Sequence, residues 1–239
     1  MVTGHSRWSP LLLSSLLVLS VSACSGERKE ARQPDYQVDR DRDDLDGMQM
    51  MQEFGGMNEE KVNKTLERLQ PELEECLMEG YKRVEFLGGE FAFLVKVDVK
   101  GDAVAAQAER STLGDYQTEQ CMLGKLKASK WPKPVGGLIG LARSSVEFDP
   151  PSDVRAPVEW SDTDVTAVLA EAESSLRSCG SGGPFSLTAY VNTKGNVMSA
   201  GVAHADDAGD DVAACLVGAV QNLKFPSPGS WPAKVSFRR

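Results

Sequence analysis

Histidine is scarce in this chain, which has two in 239 residues. His5 precedes an apolar run near the start, so His204 is the one imidazole left beyond it. A zinc site needs several His, Cys or carboxylate ligands at usable spacing, and a catalytic base needs a nucleophile within hydrogen-bond reach. The sequence also lacks a Gly-x-Ser-x-Gly elbow. We therefore expect no catalytic residue, no metal and no cofactor, and we interpret His204 as a polar surface residue.

The chain also lacks an excess of basic residues and an apolar run long enough to span a membrane. Lys and Arg total 26 against 35 Asp and Glu, a net charge of −9, which argues against a nucleic-acid partner. The longest apolar run, Leu11–Val21, is too short to span a membrane as a helix. It has the layout of a secretory signal.

The end of this run carries a lipidation motif. Val21-Ser22-Ala23-Cys24 resembles a bacterial lipoprotein lipobox. The resemblance implies that residues 1–23 are a signal peptide and that the mature chain begins at a lipid-modified Cys24. Ser25, rather than Asp, then implies an outer-membrane lipoprotein that faces the periplasm. An ordinary signal peptide with Cys24 beyond its cut is the alternative.

Residues 24–57 have no apolar periodicity and contain a charge run over 39–46, so we predict a flexible acidic, Met-rich tether. The alternating Asp39, Asp41 and Asp43 resemble the start of a calcium loop, but Asp44 stands where that loop needs Gly. The methionines between 48 and 57 could bind Cu(I), but an apolar patch is the better interpretation.

The remainder of the chain contains one pattern twice. Four features recur at an offset of 94 residues: Phe91 and Phe185, Gly101 and Gly195, Cys121 and Cys215, and Pro132 and Pro226. An offset held across a strand, a turn, a helix and a Pro-rich exit indicates two copies of one domain. We place domain 1 at 58–149, a Pro-rich linker at 150–160 and domain 2 at 161–239.

Each copy begins with a helix and continues into a hairpin. Apolar residues spaced 4, 3, 4 and 3 apart predict the helix in both copies: Val62, Leu66, Leu69, Leu73 and Cys76, then Val165, Leu169, Ala172, Leu176 and Cys179. Pro71 is expected to kink or split the first of these helices. Period-two alternation from Phe91 and from Phe185 predicts a strand with one face on a core. Gly101 and Gly195 then supply turns into second strands near 103–111 and 197–204.

A second helix and a last strand complete each copy. Asp115 and Asp210 are the predicted N-caps of the second helices, which end before Trp131-Pro132 and Phe225-Pro226. The last strands lie near 141–148 and 233–238. The fold class is α+β, a tandem helix–strand–strand–helix–strand domain with two helices packed on a three-stranded antiparallel sheet.

The repeat selects a disulfide pattern. Each copy has one cysteine on the predicted core face of its first helix and one on its second helix. Four cysteines allow three connectivities, and only Cys76–Cys121 with Cys179–Cys215 closes each copy on itself. Four reduced core cysteines are the alternative.

The spaced motifs of copy one carry a family resemblance. Cys76, Lys100-Gly101-Asp102, Ser111-Thr112-Leu113, Cys121, Trp131-Pro132-Lys133-Pro134 and Gly136-Gly137 resemble the AgmX/PglI C-terminal domain, a family similar to the TonB C-terminal domain. Copy two lacks the Ser-Thr-Leu and Gly-Gly motifs. The resemblance implies a link to gliding motility or envelope assemblies, and binding of extended partner segments at a sheet edge.

These observations predict a non-enzymatic, lipid-anchored cell-envelope protein. Its tandem domains would bind envelope proteins by strand addition, with the last strand of each copy as the edge. One alternative is a small cysteine-dependent enzyme or redox protein. Another is a peptidoglycan- or glycan-binding lipoprotein, although Trp131 and Trp231 are better interpreted as core or strand-end residues than as a glycan platform.

Overall fold

A computed structural model describes residues 52–180, 183–204 and 209–239. The chain order is β1 Gln52–Gly55, α1 Glu59–Tyr81, β2 Gly89–Asp98, β3 Ala103–Ser111, α2 Tyr116–Ala128, β4 Gly137–Phe148, β5 Val158–Trp160, a 3₁₀ turn Asp162–Val165, α3 Thr166–Ser178, β6 Phe185–Val191, β7 Val197–His204, α4 Asp210–Gln221 and β8 Ala233–Arg238. We call β1 to β4 with α1 and α2 the first unit, and β5 to β8 with α3 and α4 the second unit.

The two units have the same sheet topology. The strand order is β1-β4-β2-β3 in the first sheet and β5-β8-β6-β7 in the second. β2 lies in the interior of its sheet, antiparallel to both β3 and β4, and β6 has the same place between β7 and β8. The α+β class and the two similar units are as predicted, and the second strands of both hairpins have the predicted bounds.

Each sheet has a fourth strand that the sequence analysis missed. β1 pairs with β4 in parallel, and β5 pairs with β8 in parallel. The prediction of three-stranded antiparallel sheets is therefore wrong, because both sheets are four-stranded and mixed. β1 lies in the segment predicted as tether and β5 in the segment predicted as linker, so the ends of both segments belong to the sheets.

The structure rules out one predicted effect of Pro71, confirms the predicted N-cap of α2 and corrects that of α4. α1 runs through Pro71 without interruption, so this proline does not split the helix. The carboxylate of Asp115 caps α2 by accepting a hydrogen bond from the Thr118 amide. The N-cap of α4, however, is Gly209, and Asp210 is the first helical residue.

Both predicted disulfides are present. Cys76 and Cys121 link α1 to α2 with their Cα atoms 5.8 Å apart, and Cys179 and Cys215 link the end of α3 to α4 at 5.5 Å. Their expected position on the core faces holds only in part. Cys76 is buried, whereas Cys121 and Cys215 are on the exposed sides of their helices. Each bridge therefore joins its helices near the surface of its own unit.

The two units also share a buried interface. The Tyr190 ring, on β6 of the second unit, packs into the core of the first unit. Its hydroxyl donates to the Gly88 carbonyl at 3.1 Å and accepts from the Gly88 amide at 3.3 Å. The Lys234 ammonium, on β8, donates to the same carbonyl at 2.8 Å. β6 is thus covered on both faces, which corrects the prediction that only one face of this strand meets a core.

Candidate interaction surfaces

The outer side of each last strand is only partly covered. β1 pairs with β4 as far as Gly140, and β5 pairs with β8 as far as Val235. Beyond these points no other described strand pairs with the outer side of β4 or β8. The prediction that the last strand is the sheet edge is therefore wrong for its first part. We call the second part of each strand, which no strand of the described residues covers on its outer side, the open part.

The open part of β8 presents main-chain hydrogen-bonding groups. Phe185 and Arg239 exchange two backbone hydrogen bonds, of 2.9 and 3.0 Å. In an antiparallel ladder, pairs that exchange hydrogen bonds alternate with pairs that do not. Arg238, opposite Ser186, therefore directs its N–H and C=O away from β6. The equivalent residue of the first sheet is Ser145 on β4, which lies opposite Ala92 on β2.

A groove runs beside the open part of each strand. The first groove, of about 430 Å³, lies between α1 and the end of β4 and is lined by Asn63, Leu66, Glu67, Gln70, Leu73, Glu74 and Ser144–Phe148. The second groove, of about 650 Å³, lies between the 3₁₀ turn, α3 and the end of β8. It is lined by Asp162, Thr163, Thr166, Leu169, Ala170, Glu173, Leu176, Arg177 and Phe237–Arg239.

The two grooves are built from equivalent positions. The first helices align at an offset of 103, as Cys76 and Cys179 show. This offset pairs all six helix residues of the first groove with helix residues of the second: 63 with 166, 66 with 169, 67 with 170, 70 with 173, 73 with 176 and 74 with 177. Val146 lies opposite Phe91 as Arg239 lies opposite Phe185, so 144–146 also match 237–239. A feature conserved between two units of one chain is less readily explained as accidental packing.

The grooves share an apolar floor and differ in charge. Leu73 and Leu176 are buried, and Leu66 and Leu169 are half-buried against the cores. The charged residues lining the first groove are all acidic, whereas three arginines and two acidic residues line the second.

His204 is not the surface residue that the sequence analysis predicted. Its side chain is 9 % exposed, and its ring lies 5.8 Å from the ring of Phe185 in an edge-on contact. It is at the end of β7, where the strand is buried on both faces. The prediction failed because the neighbouring aspartates suggested a polar loop.

The tryptophans have the structural roles that were predicted. Trp131 is 5 % exposed in the core of the first unit, and its indole N–H donates to the Leu126 carbonyl at 3.0 Å. Trp231 packs beside Phe86 and donates to the Ala156 carbonyl. Neither ring is presented as an open stacking platform for a sugar.

A buried polar network joins the units. In the first unit, the guanidinium of Arg83 donates to the Asp115 carboxylate at 3.0 and 2.5 Å. From the second unit, the Ser199 hydroxyl donates to the same carboxylate at 2.6 Å. Burial raises the pKa of Asp115, but the hydrogen bonds from Arg83, Ser199 and Thr118 outweigh it, so the pKa of this carboxyl lies below its ordinary value.

Glu119, on α2, is the second carboxyl of this interface. It accepts hydrogen bonds from the Ser111 hydroxyl at 2.6 Å and from the Val202 amide at 3.0 Å. Burial raises the pKa of Glu119 to about 7, although these hydrogen bonds favour the charged form. A perturbed carboxyl can mark a catalytic site, but Glu119 is 1 % exposed. It holds the two units together and offers no surface to a substrate.

Other predicted sites lie partly outside the described residues. Cys24 and the methionines at 48, 50 and 51 fall there, while Met57 packs on the core of the first unit. Among the residues that the structure describes, no group of three or more His, Cys, Asp or Glu could hold a metal ion. No helix in these ranges is long and apolar enough to cross a membrane. The two disulfides indicate an oxidising, extracytoplasmic compartment.

Sequence reasoning missed the interface residues Asp115, Glu119, Ser199, Tyr190 and Lys234. Only Tyr190 carried a usable signal, because a large aromatic side chain on the supposedly solvated face of β6 indicates a second contact surface.

Comparison of the chain with family models, curated proteins and solved structures finds no match.

Proposed function

We propose that this protein is a non-enzymatic, lipid-anchored component of the bacterial cell envelope that binds other proteins. Each unit adds an extended partner segment to the open part of its last strand, β4 or β8. Main-chain hydrogen bonds supply affinity in this mode of binding, and the alternate side chains of the added segment supply selectivity. The observation that carries the proposal is the pair of equivalent grooves beside the two open edges.

The sequence supports the location. The lipobox-like segment that ends at Cys24 places the chain on a membrane surface through acyl groups. The disulfides fit a periplasmic setting at the outer membrane. The resemblance of the first copy to the AgmX/PglI and TonB C-terminal domains supports a part in a motility apparatus or another envelope-spanning assembly. Two binding edges on one tethered chain would give avidity for a repetitive or dimeric partner.

Proline substitution tests the strand addition. Ser145→Pro and Arg238→Pro each remove an outward-facing N–H, and proline is tolerated where the N–H of an edge strand faces solvent. We expect the double variant to lose the partner proteins that the full-length chain retains in a pull-down from detergent-solubilised envelope. The matched control is the Ser145→Ala, Arg238→Ala double variant, which keeps both N–H groups and should retain the partners. Equal retention by the folded proline variant would refute strand addition.

Fractionation tests the anchor. Cys24→Ser removes the thiol that lipidation requires, so the variant should move from the outer-membrane fraction to the soluble fraction. Retention of this variant on the membrane would contradict the lipoprotein assignment without bearing on the grooves.

A further inference from the structure

We infer that the first groove selects a basic extended segment, with Lys or Arg on alternate residues, and that the second groove does not. The inference rests on the proposed strand addition and names the chemistry of the partner at one of the two sites.

The charge of the first groove comes from Glu67 and Glu74 on α1. Glu147 also lines the groove, but Val146 and Phe148 on either side of it pack on the core, so its side chain points to the opposite face of the sheet. Within the described part of the chain none of these carboxylates forms an ion pair, although Gln70 donates to Glu74. The other glutamates of the same turns, Glu72 and Glu75, already contact Lys125. The lining residues include neither Lys nor Arg. The groove therefore concentrates negative charge that has no cationic partner within it.

The second groove shows what the same architecture looks like with different charges. Ala170 and Arg177 occupy the positions of Glu67 and Glu74, and Arg238 and Arg239 follow at the strand. A buried nitrogen of Arg239 has no hydrogen-bond partner among the described residues. Arg177 pairs with Glu173 inside this groove, and Arg239 adds a positive charge at the strand, so a basic segment would find no comparable excess of negative charge here.

The groove geometry fits long cationic side chains. Glu67 and Glu74 are seven residues apart on α1, which is two turns or about 10 Å. Leu66 and Leu73 precede them with the same separation. Every second residue of an added strand faces the helix, at intervals of about 7 Å. Lys and Arg can cover the leucines with their methylene stems while their charged ends reach the carboxylates.

Three peptides test the selectivity. Each has about nine residues, an ordinary strand length, with Thr alternating with Lys, Gln or Glu. We expect the Lys/Thr peptide to bind the full-length protein in detergent at least about tenfold more tightly than the Gln/Thr peptide. The Glu/Thr peptide should bind less well to the first groove than either. The advantage of the Lys/Thr peptide should shrink at high salt because exposed charges are screened.

A charge exchange between the grooves locates the binding. The double variant Glu67→Ala, Glu74→Arg places the residues of the second groove in the first. It should bind the Lys/Thr peptide about tenfold or more weakly, with an unchanged unfolding midpoint because both side chains are exposed. The control Glu85→Ala, Glu171→Arg makes the same change in net charge at exposed positions outside both grooves. It should keep most of the affinity.

The outcomes separate the inference from the function it rests on. If all three peptides bind equally and compete with one another, strand addition stands and the charge selection is refuted. If the control variant loses as much affinity as the groove variant, the attraction belongs to the net charge of the chain, and the inference is again refuted. If no peptide binds and the envelope pull-down is also negative, the proposed function itself fails.

Discussion

The carboxylate of Glu119 on α2 accepts a hydrogen bond of 3.0 Å from the backbone amide of Val202 on β7, across the interface between the two units. This carboxyl is almost fully buried, so protein groups rather than water satisfy its oxygens. The contact ties the second helix of one copy to the sheet of the other. Each unit is therefore cross-linked by its own disulfide, and buried polar contacts join the two units to each other.

The stability of the interface should depend on pH through Glu119. Its pKa in the folded protein is raised to about 7 from an ordinary value of 4.5, so the native state binds more protons than the unfolded state between these values. Stability then falls as pH rises from about 5 to 8, by up to about 3 kcal/mol. Its polar and charged neighbours are Ser111, the Val202 and Gly114 amides and Asp115. The pKa of Asp115 is lowered, so its stabilisation is lost only as the solution becomes more acidic.

Urea unfolding of the wild type and of Glu119→Gln at pH 5, 6, 7 and 8 measures this effect. The wild-type midpoint should decrease across the series, and the variant should show a flatter profile. If the urea midpoints of the two proteins changed equally with pH, Glu119 would not titrate in this range.

Gly201, on β7, is needed because of the same carboxylate. A methyl group at this position would collide with the carboxylate of Glu119, so Gly201→Ala should lower the free energy of unfolding by about 1–3 kcal/mol. The control is Gly218→Ala on α4, where an added methyl group meets no atom within 4 Å. That change should raise stability by about 0.5–1 kcal/mol, since Ala is the better helix former. Thermal unfolding of both variants measures these changes. An unchanged stability of Gly201→Ala would show that the interface has room for the methyl group.

The sequence predicted those parts of the fold that have a long periodic pattern. The alternating strands that begin at Phe91 and Phe185, followed by the turns at Gly101 and Gly195, predicted second strands at 103–111 and 197–204, and these are the bounds that the structure has. β1 and β5 have four and three residues, which is too short for an alternating pattern to be detected. Their places are set by pairing with β4 and β8, contacts that are remote in the sequence.

The interface was missed for a different physical reason. A period of two shows which residues of β6 share a face, but it does not show what covers the opposite face. Thr188 and Tyr190 lie on the face opposite Phe185, for which no core was predicted, yet both are about 1 % exposed or less. The grooves could not be predicted from the sequence either, because the open part of β4 or β8 begins where its pairing with β1 or β5 ends.

The disulfides should stabilise the two units independently. They close loops of 45 and 36 residues, for which the chain-entropy model gives about 4 kcal/mol each. Replacing Cys179 and Cys215 together with Ala should therefore lower the resistance to urea about as much as replacing Cys76 and Cys121 together. Peptide mapping without reductant should find each bridge inside one unit. A bridge between units, or four free thiols in the purified protein, would contradict this arrangement.

Site-specific photo-cross-linking in native envelopes is the direct test of partner binding at the two open strand edges. A photoreactive residue at Ser145 or at Arg238 lies on an open strand edge. One at Val104 on β3 is also exposed, but Val104 lines neither groove. We expect adducts with envelope proteins from the two edge positions and few from Val104. Adducts of equal yield from all three positions, or none from Ser145 and Arg238, would contradict binding at these edges.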